Sequence, residues 1–273
     1  MSSLSRRDVF NALGVLGIAE LMPRIQVAPA QPDLSWPPAV TGISAAYPTH
    51  DAFVVKNVVG ASHRSLDLVK AAVSRQPSLA KAAWDWGYGD WETALGAAAH
   101  TGQREIAEYL IEHGAPPTIF SATMLGQLDV VKAMVAAQPG IQRLLGPHNI
   151  PLLSHARAGG PTAAPVVAYL ESLGGAAGNG TEQPTTPELR ASLVGRYVFG
   201  AGPRDAFIVD NEREMVGLMR VGAGRVILGH LGGLVFAPRG AEAVRIRFTA
   251  TELTISDPDV LVVATKEIGR AHV

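Results

Sequence analysis

The segment from Trp84 to Glu92 (WDWGYGDWE) carries the residue types best suited to holding a ligand. It contains three of the four tryptophans of the chain, one tyrosine and three carboxylates. Trp and Tyr offer a large contact area at a low entropic cost, and acidic groups beside aromatic faces suit basic, cationic or sugar ligands. The segment therefore predicts a binding surface made of Trp84, Asp85, Trp86, Tyr88, Asp90, Trp91 and Glu92.

The aromatic rings of this segment have a second interpretation, as a small satellite core over the neighbouring helices. The sequence leaves the two interpretations equally open for Trp84 and Trp91, whereas it favours exposure for Trp86 and Tyr88. If Trp86 and Tyr88 are exposed, their replacement by Ala should weaken partner binding with little loss of melting temperature.

The histidines of the middle of the chain are scattered along the sequence, at positions 63, 100, 113, 148 and 155. None lies in an H-E-x-x-H motif or in a spacing typical of two histidines and one carboxylate on a metal. Each is therefore interpreted as a structural histidine, and neither a metal site nor a cofactor is expected.

Motifs of nucleophilic catalysis are missing from the chain. It has no Cys, no G-x-S-x-G and no S-x-x-K with its supporting motifs. Ser62-His63 and Ser154-His155 are adjacent pairs, which do not by themselves make a triad. The net charge of −1 gives no basic surface for nucleic acid. These features favour a binding protein over an enzyme, with no nucleic-acid partner.

The elements that position the aromatic segment are helical repeats. Residues 66–77 (LDLVKAAVSRQP) and 128–139 (LDVVKAMVAAQP) are identical at eight of twelve positions. Two further copies begin at Arg104 and Ala164, so the starts are 38, 24 and 36 residues apart. The mean period of about 33 residues predicts roughly four repeats over residues 49–176, with atypical terminal copies.

Residues 93–115 carry a family resemblance. Thr93-Ala94-Leu95 opens a helix rich in Ala, Gly102 follows it, Ile106 and Leu110 share one face of a second helix, and Gly114-Ala115 closes the unit. This pattern resembles the ankyrin repeat, although Ala94 and Gly96 replace the usual Pro and His. The resemblance implies stacked helical pairs that recognise a protein partner through the concave face and the connecting fingers, one of which is the Trp84–Trp91 segment.

A second domain is predicted over residues 189–265, after a Gly/Pro/Thr-rich linker at 177–188. About eight short apolar runs separated by turn residues favour an antiparallel barrel or sandwich. Alternation is clearest where Val244, Ile246 and Phe248 stand opposite Arg245 and Arg247. The opening Leu193-Val194-Gly195-Arg196-Tyr197 resembles the small β-domain that accompanies β-lactamase-like serine hydrolases.

The two ends of the chain are expected to lie outside the folded domains. Ser5-Arg6-Arg7-Asp8-Val9-Phe10, the apolar run 12–19 and Ala28-Pro29-Ala30 resemble a bacterial twin-arginine export signal at 1–30. A Pro-rich lead follows at 31–48. Residues 267–273 (EIGRAHV) match the translation of a sequencing-adapter read-through and are interpreted as an artefact.

Together these patterns predict a multidomain α + β protein with an N-terminal ankyrin-like α-solenoid and a small antiparallel β barrel or sandwich. The expected function is protein binding in the periplasm or outside the cell, by a non-catalytic monomer with no membrane span after signal cleavage. Two alternatives stay open. One is a small-molecule binder for a sugar or cationic ligand, and the other is an accessory subunit or inhibitor of an exported hydrolase.

Overall fold

A computed structural model of the protein describes residues 43, 45–178, 180 and 182–267. The predicted export signal at 1–30 lies outside the described residues. So do most of the Pro-rich lead at 31–48 and all but the first residue of the suspected artefact at 267–273.

The repeat region consists of helices joined in consecutive pairs, each pair connected by a short turn. Within the described residues, the pairs are α1 (Ala52–Ala61) with α2 (Leu66–Arg75), α3 (Ala94–His100) with α4 (Arg104–Glu112), α5 (Ile119–Met124) with α6 (Leu128–Ala137), and α7 (Leu152–Ala158) with α8 (Ala164–Leu173). Short 3₁₀ turns lie between the pairs at Pro77–Lys81, Ile141–Arg143 and Pro147–Asn149, and another, Gly160–Ala163, lies within the α7–α8 pair.

The helical pairs stack in chain order. The first helices α1, α3, α5 and α7 contact one another in sequence, and α3 also contacts α7. Small side chains allow this close approach, because Ala94, Ala97, Ala98 and Ala99 of α3 are completely buried. The stacking therefore brings the ends of helices from different repeats together.

Local chemistry defines the ends of these helices. The hydroxyl of Thr93 accepts the backbone N–H of Gly96 at the start of α3, and Thr118 and Ser121 form a reciprocal capping box on α5. Gly102 follows α3 with a φ of 71°, and a Cβ at this position would collide with the carbonyl of Ala158. Glycine is thus required there both for the left-handed backbone and for the close approach of the last repeat.

A short two-stranded hairpin lies between the first and second helical pairs. Its strands are β1 (Ala83–Asp85) and β2 (Trp91–Thr93), which pair antiparallel with Trp84 opposite Glu92. β2 leads directly into α3, so the hairpin is fixed to the repeat that follows it. This hairpin with its turn is the predicted Trp84–Trp91 finger.

A further helix, α9 (Pro187–Leu193), precedes the β-domain. The sequence placed the first strand from Leu193, but Leu193 ends this helix. The helix forms because Thr186 caps it and Pro187 occupies its first turn. Its end is tied to the first strand by the Tyr197 hydroxyl, which donates to the carbonyl of Leu193 over 2.8 Å.

The β-domain is a closed antiparallel barrel in the strand order β10-β3-β4-β5-β6-β7-β8-β9. Its strands are β3 (Gly195–Val198), β4 (Ala206–Glu212), β5 (Met215–Arg220), β6 (Val226–Gly232), β7 (Val235–Pro238), β8 (Arg245–Phe248), β9 (Glu252–Asp257) and β10 (Val260–Lys266). The predicted alternation holds in β8, where Ile246 and Phe248 are buried and Arg247 is exposed. The predicted fold class, an α-solenoid followed by a small antiparallel barrel or sandwich, is confirmed, and the second domain is a barrel.

Repeats and barrel belong to one compact unit. The barrel core is built from buried aromatic and aliphatic side chains, among them Tyr197, Phe236 and Ile246. Among the described residues, no helix is long and apolar enough to cross a membrane.

Candidate functional site

The turn of the β1–β2 hairpin is shaped by Asp85. Its carboxylate oxygen Oδ1 accepts the backbone N–H groups of Gly87 and Gly89 at 2.8 and 3.2 Å. Gly87, Tyr88 and Gly89 all have positive φ angles, which the two glycines adopt without strain. Asp85 therefore has a local structural role, which stabilises the turn that presents Tyr88.

The aromatic residues of the finger differ in their exposure. Trp91 is 64% exposed on the outer face of the hairpin. Trp84 is half-buried, with the Lys56 ammonium 5.9 Å from its ring centroid. The expectation that Trp86 and Tyr88 are exposed is wrong, because both are half-buried.

Tyr88 is half-buried because the hairpin turn lies against the barrel. Its ring packs on the barrel core, and a Cβ on Gly87 would lie 3.5 Å from a methyl group of Val226. Burial, together with the charge of Asp257, raises the pKa of the Tyr88 phenol to about 12. The turn of the predicted contact finger is thus already covered by the protein's own second domain, whereas Trp91 is not.

Glu92 lies at the centre of a cluster of polar side chains. It is completely buried, and it faces inward because Trp91 and Thr93, its neighbours in β2, face outward. The indole N–H of Trp86 donates to Oε2 over 2.7 Å, and His100 Nε2 lies 2.8 Å from Oε1. His63 Nε2 lies 3.4 Å from Oε2, and His148 Nε2 lies 3.5 Å from Oε1.

His148 reaches this cluster because Asp90 holds it. The Asp90 carboxylate accepts the backbone N–H of His148 at 2.9 Å and lies 2.5 Å from the ring atom Nδ1. His148 adopts a left-handed backbone with a φ of 58°. On the barrel side, Gly240 approaches so closely that a Cβ there would collide with Asp90. Asp90 therefore connects the hairpin to the loop before α7 and lies against the barrel.

The protonation of the cluster follows from its burial and its hydrogen bonds. Burial acts to raise the pKa of Glu92, but hydrogen bonds from His100 and His148 outweigh it, and the pKa is about 2. Burial acts to lower the pKa of His148, but its bonds to Asp90 and Glu92 raise it to about 9. Burial lowers the pKa of His63. The centre therefore contains a buried carboxylate anion surrounded by imidazole nitrogens.

The expectation that the histidines do not cluster is wrong. His63, His100 and His148 converge on Glu92, and the ligand atoms of all four side chains lie within 4.8 Å of one another. His155 lies beside them, with its ring 6.3 Å from that of His100; burial lowers its pKa to about 4. This grouping could hold a metal ion, which the sequence patterns did not indicate.

One sequence signal could have revealed part of the cluster. His63 lies two residues after the end of α1 and His100 is the last residue of α3, so both lie near the end of the first helix in consecutive repeats. Corresponding helix ends in a stacked array lie beside one another. The contribution of His148 had no such signal, because it comes from an irregular loop.

A cavity of about 360 Å³ adjoins the cluster on the side of His148. Its walls come from the loop before α7, from the segment after α8 and from the barrel, and they include His148, Asn149, Ser154, Glu182 and Arg239. Arg239 and Glu182 form an ion pair at 2.7 Å within this wall. His148 therefore borders both the cavity and the cluster.

The comparison with protein families supports the repeat assignment. The ankyrin repeat family model matches residues 90–121, which include β2, α3, α4 and the start of α5. A search of curated proteins finds no match to the chain. The chain therefore contains an ankyrin repeat followed by an eight-stranded antiparallel barrel, and the repeat suggests a protein-interaction module.

Proposed function

We propose that this chain is an exported, non-catalytic protein that recognises a protein partner through its ankyrin-repeat region. The observation that carries the proposal is the ankyrin match over residues 90–121, since this repeat is typical of protein-interaction modules. The missing nucleophile motifs and the lack of Cys support a binding role.

The exposed part of the matched repeat provides a candidate contact. Trp91 is 64% exposed on the outer face of β2, and it points away from the Glu92 cluster. Tryptophan is enriched among the residues that dominate binding energy at interfaces. Trp91 replaces Trp86 and Tyr88 as the proposed anchor, because those two residues make contacts within the protein.

Export is proposed from the N-terminal residues alone. The twin arginines Arg6 and Arg7, the short apolar run and the small residues before Gln31 support the twin-arginine route to the periplasm or beyond. A fusion of residues 1–30 to a reporter should reach the periplasm, and a variant with Lys at both arginines should stay in the cytoplasm. Equal export of the two fusions would contradict the proposal.

Partner recognition is tested by capture from a periplasmic extract with the chain from residue 31 as bait. We expect the wild type to retain a specific protein and Trp91→Ala to retain much less of it. Leu261→Ala is the matched control, because Leu261 is 69% exposed but lies on the barrel. Capture of no protein, or equal capture by both variants, would argue against the proposal.

A small-molecule binder is the second candidate, favoured by the cavity beside His148. Its walls offer an imidazole, an amide, a hydroxyl and an ion pair, which are groups that fix the orientation of a polar ligand. The Trp-Asp finger itself is a poorer site, because its inner rings contact the protein. Retention of a sugar or a cationic compound, without a protein partner, would favour this candidate.

A further inference from the structure

We propose that His63, Glu92, His100 and His148 form a binding site for one divalent first-row transition-metal ion. Three imidazole nitrogens and one carboxylate are the ligands. This inference goes beyond the proposed function, because it concerns the interior of the repeat region and requires no partner protein.

The spacing of the ligand atoms matches a shared ion. Metal–nitrogen and metal–oxygen bonds of about 2.0–2.2 Å in a tetrahedral site place the donor atoms roughly 3.3 Å apart. The observed separations are 3.2 Å between His63 and His100 Nε2, 3.4 Å between His63 Nε2 and Glu92, and 3.5 Å between His148 Nε2 and Glu92. His100 and Glu92 are closer, at 2.8 Å, which is a hydrogen-bond distance. Small shifts of these side chains would create four-coordinate geometry.

The lone pairs of two histidines point toward the centre. His63 Nδ1 lies 3.2 Å from the carbonyl oxygens of Val59 and Gly60, which only accept hydrogen bonds, so Nδ1 carries the proton. In a neutral His148, Nδ1 likewise donates to the Asp90 carboxylate. In both neutral rings the lone pair then lies on Nε2, the atom that faces Glu92. Metal-ligating histidines typically donate their other N–H to a carbonyl or carboxylate in this way.

The charge balance of the interior also favours a cation. Glu92 is completely buried, and a buried carboxylate is costly unless a positive charge compensates it. The Trp86 indole helps to orient the carboxylate by donating to Oε2. A proton on His148 is the competing source of positive charge, so the experiment must separate a metal ion from protons alone.

The donor set restricts the type of ion. Imidazole with one carboxylate suits Zn²⁺, Ni²⁺, Co²⁺ or Fe²⁺, whereas Mg²⁺ and Ca²⁺ prefer oxygen ligands. The chain has no thiolate, because it has no Cys. The site should therefore bind Zn²⁺ and Co²⁺ and leave Mg²⁺ in solution.

The test is metal titration of the full chain after treatment with a chelator. Zn²⁺ binding is measured by calorimetry, and Co²⁺ is added as a probe whose visible absorption reports nitrogen ligation. We expect one equivalent of either ion per chain, a higher melting temperature with Zn²⁺, and no response to Mg²⁺.

Variants locate the ion. His63→Ala should weaken Zn²⁺ binding by at least about 100-fold, since loss of an outer hydrogen-bond partner alone costs ~10–100-fold. Its side chain is 23% exposed, so the variant should fold, which circular dichroism verifies. Asp90→Asn keeps all four ligands and should weaken binding by about 10–100-fold. His113→Ala is the matched control, because His113 lies in the repeats outside the cluster, with its Nδ1 2.8 Å from the Tyr109 carbonyl oxygen.

Two results would overturn the proposal. Lack of stoichiometric binding would mean that protons alone fill the centre. Binding that survives His63→Ala, or that His113→Ala weakens equally, would mean that the ion lies elsewhere. Both measurements use the isolated chain, so they stand apart from the capture experiment that tests partner recognition.

Discussion

Replacement of Trp86 by Phe should destabilise the protein, although this tryptophan lies in the segment that the sequence predicts to be a binding surface. The change keeps an aromatic ring and removes the indole N–H that donates to Glu92 over 2.7 Å. Glu92 is completely buried and its pKa is about 2, so the lost bond is one to a buried anion. Hydrogen bonds to charged groups contribute about 1.5–3 kcal/mol each. The free energy of unfolding should fall by that amount.

Trp91→Phe in the same hairpin is the matched control. Trp91 is 64% exposed, so the same chemical change should alter the free energy of unfolding by no more than about 0.5 kcal/mol. A domain of this size loses about 2–4 °C of melting temperature per kcal/mol, so Trp86→Phe should melt about 3–12 °C below the wild type. Thermal melts are recorded with a chelator present, because a bound ion would add its own stabilisation. If the two variants melt together, the Trp86–Glu92 bond does not support the fold.

Three further predictions concern the packing and charge of the described residues. Tyr88→Ala should cost about 2 kcal/mol, roughly half of the ~3–5 kcal/mol for a fully buried aromatic ring, because Tyr88 is half-buried against the barrel core. A denaturant titration checks this, and a loss no larger than that of Trp91→Ala would show that the turn is not docked on the barrel. Gly102→Ala should lower the free energy of unfolding by about 1–3 kcal/mol more than Gly140→Ala does, because both glycines have positive φ but of the two only a Cβ at Gly102 meets a neighbouring backbone. Equal losses would show that the close approach of Ala158 to Gly102 does not limit the side chain there. Burial lowers the pKa of His155 to about 4, so between pH 6.5 and 4 this histidine is protonated in the unfolded chain and neutral in the folded chain. The free energy of unfolding should therefore fall as the pH is lowered through that window, by up to about 1.4 kcal/mol per pH unit. For His155→Leu, a plot of this free energy against pH should have a shallower slope, and an unchanged slope would assign the effect to other groups.

Local pattern was sufficient for the architecture. Small residues in α3, the left-handed position of Gly102 and the shared face of Ile106 and Leu110 predict a helical repeat without knowledge of any distant residue. Alternation in 244–248 likewise predicts a strand with one buried face. These features are readable because helix and strand periodicity depend on neighbours within a few positions.

The exposure of the aromatic finger was not readable in the same way. Trp86 is half-buried where it donates to Glu92, which the β1–β2 hairpin brings back beside it. Tyr88 is half-buried because it packs on the core of the barrel, which is a separate domain. Composition indicates that Trp and Tyr can bind something, and it does not indicate whether the bound surface belongs to another molecule or to the same chain.

The sequence by itself determined the four helical pairs, the eight barrel strands and the aromatic and acidic residues gathered in WDWGYGDWE. Only the tertiary structure decided that Glu92 meets His63, His100 and His148, because this contact joins the helix ends of two stacked repeats to an irregular loop far along the chain. Its physical basis is the alternation of β2. That alternation directs Trp91 outward and Glu92 inward. A buried carboxylate is stable only with hydrogen-bond donors around it, and here the stacked repeats and the neighbouring loop supply them.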